Sequence, residues 1–483
     1  MTASFLALSP ADFARSEFGG LQLGDKRRTR RLATIAGAMA TLPGHSISSL
    51  FPRPCAMNAA YDFFKHDYAR PDTLQATHRD LVRHRCSAPA TYLLLEDTTE
   101  IAYPGRQPVP GLGPIGNDKG TQGFHLHSVL AVRMPDHGPH SPGGRHAPLA
   151  ICGLLHQLFD TRSPRGKKKH ERRCRKEGEK LETDRWQDTA EAIGDVPAGA
   201  AWIYVADRGA DIADHILAVR RTGAGFTIRA RHDRRLRDRK TGKEAGKLHS
   251  FLRSLPSLGT FTLSLRARKG QAARDALLHV SAAEKLLIQA PQKPGRGKRS
   301  GPPIELGAVR VWEEGGGDNR LEWLLLTDQP ASTFEQALRV AQIYSCRWLV
   351  EEFHKALKSG MGAEKLQLED GGRLMAAAAV LSILALRLLD LRDLGRISGE
   401  KPAAEAGFDE SDIKLLEKLA EKKVTTIRDA VRAIASLGGF HGRKCDGEPG
   451  MTVLWIGMRR FLDIKQGYLL ANPPPAANTR FQE

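Results

Sequence analysis

The chain is short of cysteine and of acid. Its six cysteines, Cys55, Cys86, Cys152, Cys174, Cys346 and Cys445, are scattered over 483 residues and form no CxxC pair. Neither a zinc ribbon nor a disulfide framework is indicated, and a reducing cytoplasm fits. The opening MTASFLALSPADF has no basic stretch and no long apolar core, so it does not read as a secretory signal. Long hydrophobic runs are missing too. The longest mainly apolar stretch, residues 374–386, has 13 residues and contains Ser382. It is too short to span a bilayer and predicts a buried helix.

Acid is outnumbered: 73 Lys and Arg stand against 55 Asp and Glu, a formal charge of +18. Such a surplus points to a polyanionic partner, most often nucleic acid. A basic surface kept for solubility is the alternative. With 41% hydrophobic and 27% charged residues the composition is that of a folded protein, and the length suggests two to four domains.

Several suggestive letter patterns carry no chemistry. Residues 111–116 fit GxGxxG, but no strand leads into them and no helix opens after them, so they read as a turn-rich loop. His78-Arg79-Asp80-Leu81 resembles a kinase catalytic loop without its companions. His125 and His127 share a strand face but lack a third metal ligand at readable spacing. Residues 162–180, with ten Lys or Arg and three Glu, read as an exposed, mobile loop.

Residues 1–70 read as helical. Lys26, Arg27, Arg28, Arg30 and Arg31 open an apolar helix and oppose its dipole, which suits nearby phosphates; a solvated charged face is the alternative. From about residue 90 strands appear, at 92–95, 124–132, 149–158, 202–206 and 226–230, with a helix over 210–221. The pattern predicts a mixed α/β sheet. Residues 233–320 read as an inserted β-rich subdomain. The chain from about 331 reads as helical, with a frayed tail from Asn472.

Two aspartates sit just past buried strands: Asp97 after the run at 92–95, Asp207 after 202–206. Strand ends of α/β sheets are where sites form, although a lone aspartate there is usually a cap or turn residue. A helix over 331–359 is expected, opened by a capping box Ser332-Thr333-Phe334-Glu335 and stopped by Gly360. Tyr344, Arg347, Glu351 and Lys358 lie at offsets of 3, 7 and 14 from the tyrosine. On a regular helix they share a sector of about 60°, opposite Leu349, Phe353 and Leu357. Two aspartates and a glutamate suit a pair of Mg²⁺ ions acting on a phosphodiester, and Arg347 and Lys358 would hold phosphates beside them.

The run from Tyr344 to Lys358 carries a Y-x2-R-x3-E-x6-K signature. It resembles the DDE transposases of bacterial insertion sequences, in the branch that includes the transposase of transposon five. The resemblance extends to Leu95-Glu96-Asp97-Thr98-Thr99, to Asp207-Arg208 with Ala210-Asp211-Ile212, to Trp323-Leu324-Leu325-Leu326-Thr327, to Gly24-Asp25 with Arg27-Arg28-Thr29, and to Leu437-Gly438-Gly439-Phe440. It implies an RNase H-like core interrupted by a β-rich insertion, within a catalytic domain over 71–372. A helical DNA-binding domain over 1–70 and a helical dimerisation domain over 373–483 would flank it.

The resemblance further implies cut-and-paste transposition through a hairpin, with Mg²⁺ (or Mn²⁺) as cofactor and element ends and target DNA as partners of a homodimer. Asp97, Asp207 and Glu351 match the metal-binding triad. Tyr344, Arg347 and Lys358 match residues that hold end phosphates and a flipped base, and Trp323 an aromatic that helps accommodate it. Lys355, Arg27, Arg28, Arg31, Arg229 and Arg231 match DNA-contact positions. Gly209 departs from the pattern, standing where a close relative has glutamate, and Cys346 replaces a histidine. A repressor derived from a transposase, or an RNase H-like junction nuclease, are the alternatives.

Overall fold

A computed structural model describes residues 8–105, 107–116, 120–135, 149–162, 182–265, 274–289, 302–315, 320–443 and 446–472. Most of the basic stretch at 162–180 and the tail beyond Asn472 therefore lie outside the described residues. The chain divides into two compact units. One comprises Met1–Leu81, Glu100–His125 and Glu352–Glu483, the other Val82–Thr99 and Leu126–Glu351.

The strands form one sheet, most of it in the second unit. Its strands in chain order are β1 (Thr91–Tyr103), β2 (Gly113–Pro114), β3 (Gln122–Arg133), β4 (Ala150–Asp160), β5 (Ala201–Ala206), β6 (Gly225–Arg229), β7 (Arg235–Arg237), β8 (Glu244–Lys247), β9 (Gly259–Leu265), β10 (Arg274–Ile288), β11 (Ile304–Glu313) and β12 (Glu322–Thr327). Strands β1 and β3 run from one unit into the other, and β2 pairs with β3 in the first unit. The order across the sheet is β4-β3-β1-β5-β6-β12-β11-β10, with β7 and β9 also on β10.

The centre, β1-β5-β6, is parallel. Tyr92, Leu93, Leu94 and Leu95 are all buried, as are the residues of β5 from Trp202 onward. Unbroken apolar runs mark strands covered on both faces. Tyr92 and Leu94 of β1 and Trp202, Tyr204 and Ala206 of β5 share one core with the helices Asp184–Ile193 and Ala213–Arg221.

The β-rich insertion joins the central sheet. Strand β12 joins β6 antiparallel, Leu325 opposite Arg229. Strand β11 joins β12, and β10 joins β11. Without them β6 would present an open edge of unpaired amides, so the inserted strands prolong the central sheet.

The first unit is mostly helical. The helix Lys26–Thr41 buries Leu32, Ile35, Ala36, Met39 and Ala40, one face at helical spacing. The apolar stretch predicted at 374–386 belongs to the helix Gly371–Ile397, which packs against Lys26–Thr41, Pro71–Leu74, Ile427–Leu437 and Met451–Ala471. Among the described residues it alone is long and apolar enough to cross a membrane, and 89% of its apolar window is buried inside the protein. His78, of the kinase-like letters, is a buried residue paired with Glu17.

Candidate active site

Register places the two aspartates. In the parallel pair β1-β5, Glu96 lies opposite Ala206, so Asp97 and Asp207 are each one residue further on, at the same end of neighbouring strands. Asp207 also does what a strand-end aspartate ordinarily does: its Oδ1 accepts from the Gly209 amide at 2.7 Å and caps the turn Arg208–Ala210. Burial pushes the Asp97 carboxyl up to about 7; the Arg347 cation opposes the rise, while the like charges of Asp207 and Glu351 add to it. Asp207 and Glu351 are thus each within electrostatic reach of Asp97.

Arg347 joins two of them, with Nη1 3.8 Å from Asp97 Oδ2 and Nη2 hydrogen-bonded to the Glu351 carboxylate. It comes to hand because the expected single helix is two. The helix Phe334–Ser345 ends at Cys346, and Trp348–Lys355 begins after a turn at Cys346 and Arg347. Its capping box lies one residue later than the sequence suggests, between Thr333 and Gln336 rather than Ser332 and Glu335. Both Ser332 and Thr333 suit a cap, and the Gln336 carboxamide accepts from both backbone amides. Glu351 stands in the first turn of the second helix, half-exposed, while Leu349 is buried.

The chain closes in a π turn, Ala356–Gly360. That turn and the break at Cys346 correct the common sector expected for Tyr344, Arg347, Glu351 and Lys358, because the 100° step does not hold across them. Lys355 and Lys358 belong to the other unit, where Lys355 is exposed and Lys358 pairs with Glu364 at 3.2 Å.

Trp323 and Tyr344 come together. Their rings meet edge to face with centroids 5.5 Å apart. Leu324 and Leu326, on the alternate face of β12, belong to the core cluster, whereas Trp323 is half-buried. Arg229, half-buried, donates to the Glu322 carbonyl at 2.9 Å, and Arg231 is exposed. In the first unit Arg27 and Arg31 are exposed on the helix capped by Asp25. Arg28 is engaged within the protein: it donates to the Leu23 carbonyl at 2.9 Å and lies 4.5 Å from the Tyr68 ring centroid.

One group escaped the sequence reading. Glu96 is fully buried and faces two buried histidines, His127 Nε2 at 3.6 Å and His215 Nε2 at 3.2 Å. Burial raises the Glu96 carboxyl, but the facing histidines outweigh it and hold it below its ordinary value. Strand parity was the available signal: Glu96 shares the face of Tyr92 and Leu94, which looks into the core.

As the side chains stand, no group of three or more His, Cys, Asp and Glu among the described residues is spaced to hold a metal ion. The Arg347 guanidinium serves as counter-ion to Asp97 and Glu351 instead. The donors themselves fit a hard cation: they are carboxylates, and the Asp97 carboxyl is raised first by burial and further by the like charges of Asp207 and Glu351.

Comparison with known proteins follows the chain in order. Residues 10–69 match the family model for transposase DNA-binding, residues 182–388 that for the transposase DDE domain, and residues 383–471 that for the transposase Tn5 dimerisation domain. A DDE domain implies an RNase H-like core, and DDE transposases use divalent metal ions. A cryo-EM structure of a piggyBac transposase synaptic complex with hairpin DNA aligns over 94% of this chain and 77% of that one, at 11% identity and a TM-score of 0.34. So loose a likeness carries no argument about the site. On the three family models, the chain belongs to the Tn5-like DDE transposases: it is a phosphodiester-cleaving, strand-transferring enzyme with a DNA-binding and a dimerisation domain.

Proposed function

We propose that this transposase works by cut and paste. Residues 1–70 bind the element end, residues 71–372 carry out the chemistry, and residues 373–483 hold two copies together. Hydrolysis at the end leaves a 3′ hydroxyl on one strand. That hydroxyl attacks the opposite strand, closing a hairpin and releasing flanking DNA. Water reopens the hairpin, and the 3′ end is joined to target DNA. Asp97, Asp207 and Glu351 would hold two Mg²⁺ ions, replaceable by Mn²⁺, whose charge serves the attacking and leaving oxygens. Arg347 would turn its planar guanidinium from the carboxylates to a phosphate of the end. Lys355, Lys358, Arg229 and Arg231 would meet further phosphates, and Trp323 with Tyr344 a displaced base. The observation that carries the reading is the register of β1 on β5, which sets Asp97 beside Asp207 with Glu351 within reach.

The DNA bordering the gene supplies the test. A labelled duplex bearing any short inverted repeat found there is incubated with the purified protein. Mg²⁺ is expected to give a nick and then a hairpin, and EDTA to stop both while binding persists. Binding without nicking would leave a DNA-binding repressor; cleavage of branched junctions alone would leave a junction nuclease.

The N-terminal arginines give a separate expectation. The double variant Arg27→Ala/Arg31→Ala should lower the slope of log affinity against log salt by about 1.8, at roughly 0.9 per phosphate contact. Arg28→Ala should also lower the melting temperature, because its contact with Tyr68 is lost. An unchanged salt slope in the double variant, measured on end duplex from 50 to 200 mM salt, would remove these residues from the DNA.

A further inference from the structure

A buried polar cluster in the sheet unit includes Glu96, the residue just before Asp97. Glu96, His127 and His215 are each buried, in a core otherwise made of Tyr92, Leu94, Trp202 and Tyr204. Burying a carboxylate and two imidazoles is expensive, and packed apolar side chains in their place are often as stable. Fold stability is therefore a poor account of the cluster. Its connections suggest another.

His127 grips β1 on both sides of Asp97. Its Nδ1 lies 2.8 Å from Thr98 Oγ1, and its Nε2 lies 3.6 Å from Glu96 Oε1. Glu96 and Thr98 are the two neighbours of Asp97 and point to the face opposite to it. One ring thus fixes the peptide segment that aims Asp97. The other Glu96 oxygen lies 3.2 Å from His215 Nε2. His215 sits in the helix Ala213–Arg221, which follows the turn capped by Asp207, and its Nδ1 donates to the Trp186 carbonyl at 3.0 Å.

Trp186 closes the arrangement. Its ring stands edge-on to His127 at 4.6 Å and to His215 at 5.7 Å. Its Cζ2 lies 2.9 Å from where a Cβ on Gly209 would stand, and that Cβ would be equally close to Asp207 Oδ1. A glutamate at 209, as in the family pattern, has no room here. Trp186 takes that place and supports the Asp207 turn from below.

We infer that Glu96, His127 and His215 are positioning residues, a buried clamp that holds the strand of Asp97 and the turn of Asp207 at the mutual setting a divalent cation requires. The inference rests on the reading of these aspartates as metal ligands. All three are buried, and each acts through the residues that flank the two aspartates. Outer supports of metal ligands typically contribute 10–100-fold in affinity or activity.

The test uses the full-length protein and two readouts: Mn²⁺ binding followed by the electron paramagnetic resonance of the free ion, and single-turnover nicking of end duplex. Glu96→Gln keeps the shape and removes the charge that both histidines face. It is expected to weaken Mn²⁺ binding and slow nicking by about tenfold each, with end-DNA affinity unchanged within about twofold. His215→Gln, whose amide nitrogen can occupy the place of Nε2, should recover most of what His215→Ala loses. A merely structural residue would instead lower the melting temperature and move DNA affinity with it. Wild-type Mn²⁺ affinity and nicking rate in folded Glu96→Gln and His127→Asn would overturn the inference alone. Mn²⁺ binding untouched by Asp97→Ala would overturn the ligand assignment on which it stands.

Discussion

Asp97→Ala, Asp207→Asn and Glu351→Ala should each slow Mg²⁺-dependent nicking of end DNA by roughly 10³-fold or more, about 4 kcal/mol of barrier, while end-DNA binding persists. The structure separates this loss from unfolding. Glu351 is half-exposed, and its substitution removes the ion pair with Arg347 of the preceding turn, an interaction of roughly 0–1 kcal/mol at a partly exposed site. Burial and neighbouring like charge already raise the Asp97 carboxyl to about 7, so its charged form strains the fold, and removing it should leave the melting temperature unchanged or higher. Asp207 is different because it caps the turn at Gly209. Its alanine variant also loses a cap, about 0.5–2 kcal/mol. Asparagine keeps the cap oxygen and removes the charge, and so isolates the chemistry. A folded Glu351→Ala protein that cuts at the wild-type rate would sink the triad.

The two aspartates could be found in the sequence because each closes an unbroken apolar run, and such runs mark covered strands by composition alone. Their adjacency is a pairing fact, Glu96 opposite Ala206 across about a hundred residues of chain, which no local pattern contains. The break at Cys346 and Arg347 was hidden for a related reason. Neither Gly nor Pro stands there, and Cys346 keeps right-handed helical angles while the helix ends. The capping box slipped by one because adjacent residues offer equally good caps. The insertion was legible only as a β-rich stretch: β10 (Arg274–Ile288) has no clear signal of its own, and the place of these strands on the edge of β6 depends on which strand would otherwise lack a partner. The Glu96 clamp was least legible: its members come from three separate elements, at residues 96, 127 and 215, and two of them are histidines among 17.

Trp323→Ala should leave the first nick within about twofold of wild type and slow hairpin formation by roughly 10–100-fold. A hairpin bends the DNA end sharply, and the bend is easier when one base leaves the stack. Extruding it costs a few kcal/mol, and stacking on an aromatic returns roughly 1–3 kcal/mol per base. Three features favour the base. Trp323 is half-buried where its neighbours Leu324 and Leu326 belong to the core cluster. Its ring meets Tyr344 edge to face at 5.5 Å. Tyr344 in turn lies three residues before Arg347, the cation that joins Asp97 to Glu351. An aromatic pair beside an arginine proposed to take a phosphate suits a nucleotide turned out of its helix. The pair should act together, so the effect of Trp323→Ala with Tyr344→Ala should fall short of the sum of the two singles. Denaturing gels that resolve nicked from hairpin strands over time decide the matter. Equal slowing of both steps with a lowered melting temperature would make Trp323 a structural residue, because a loss of folded protein slows every step alike and a lost base pocket slows only the step that bends the DNA.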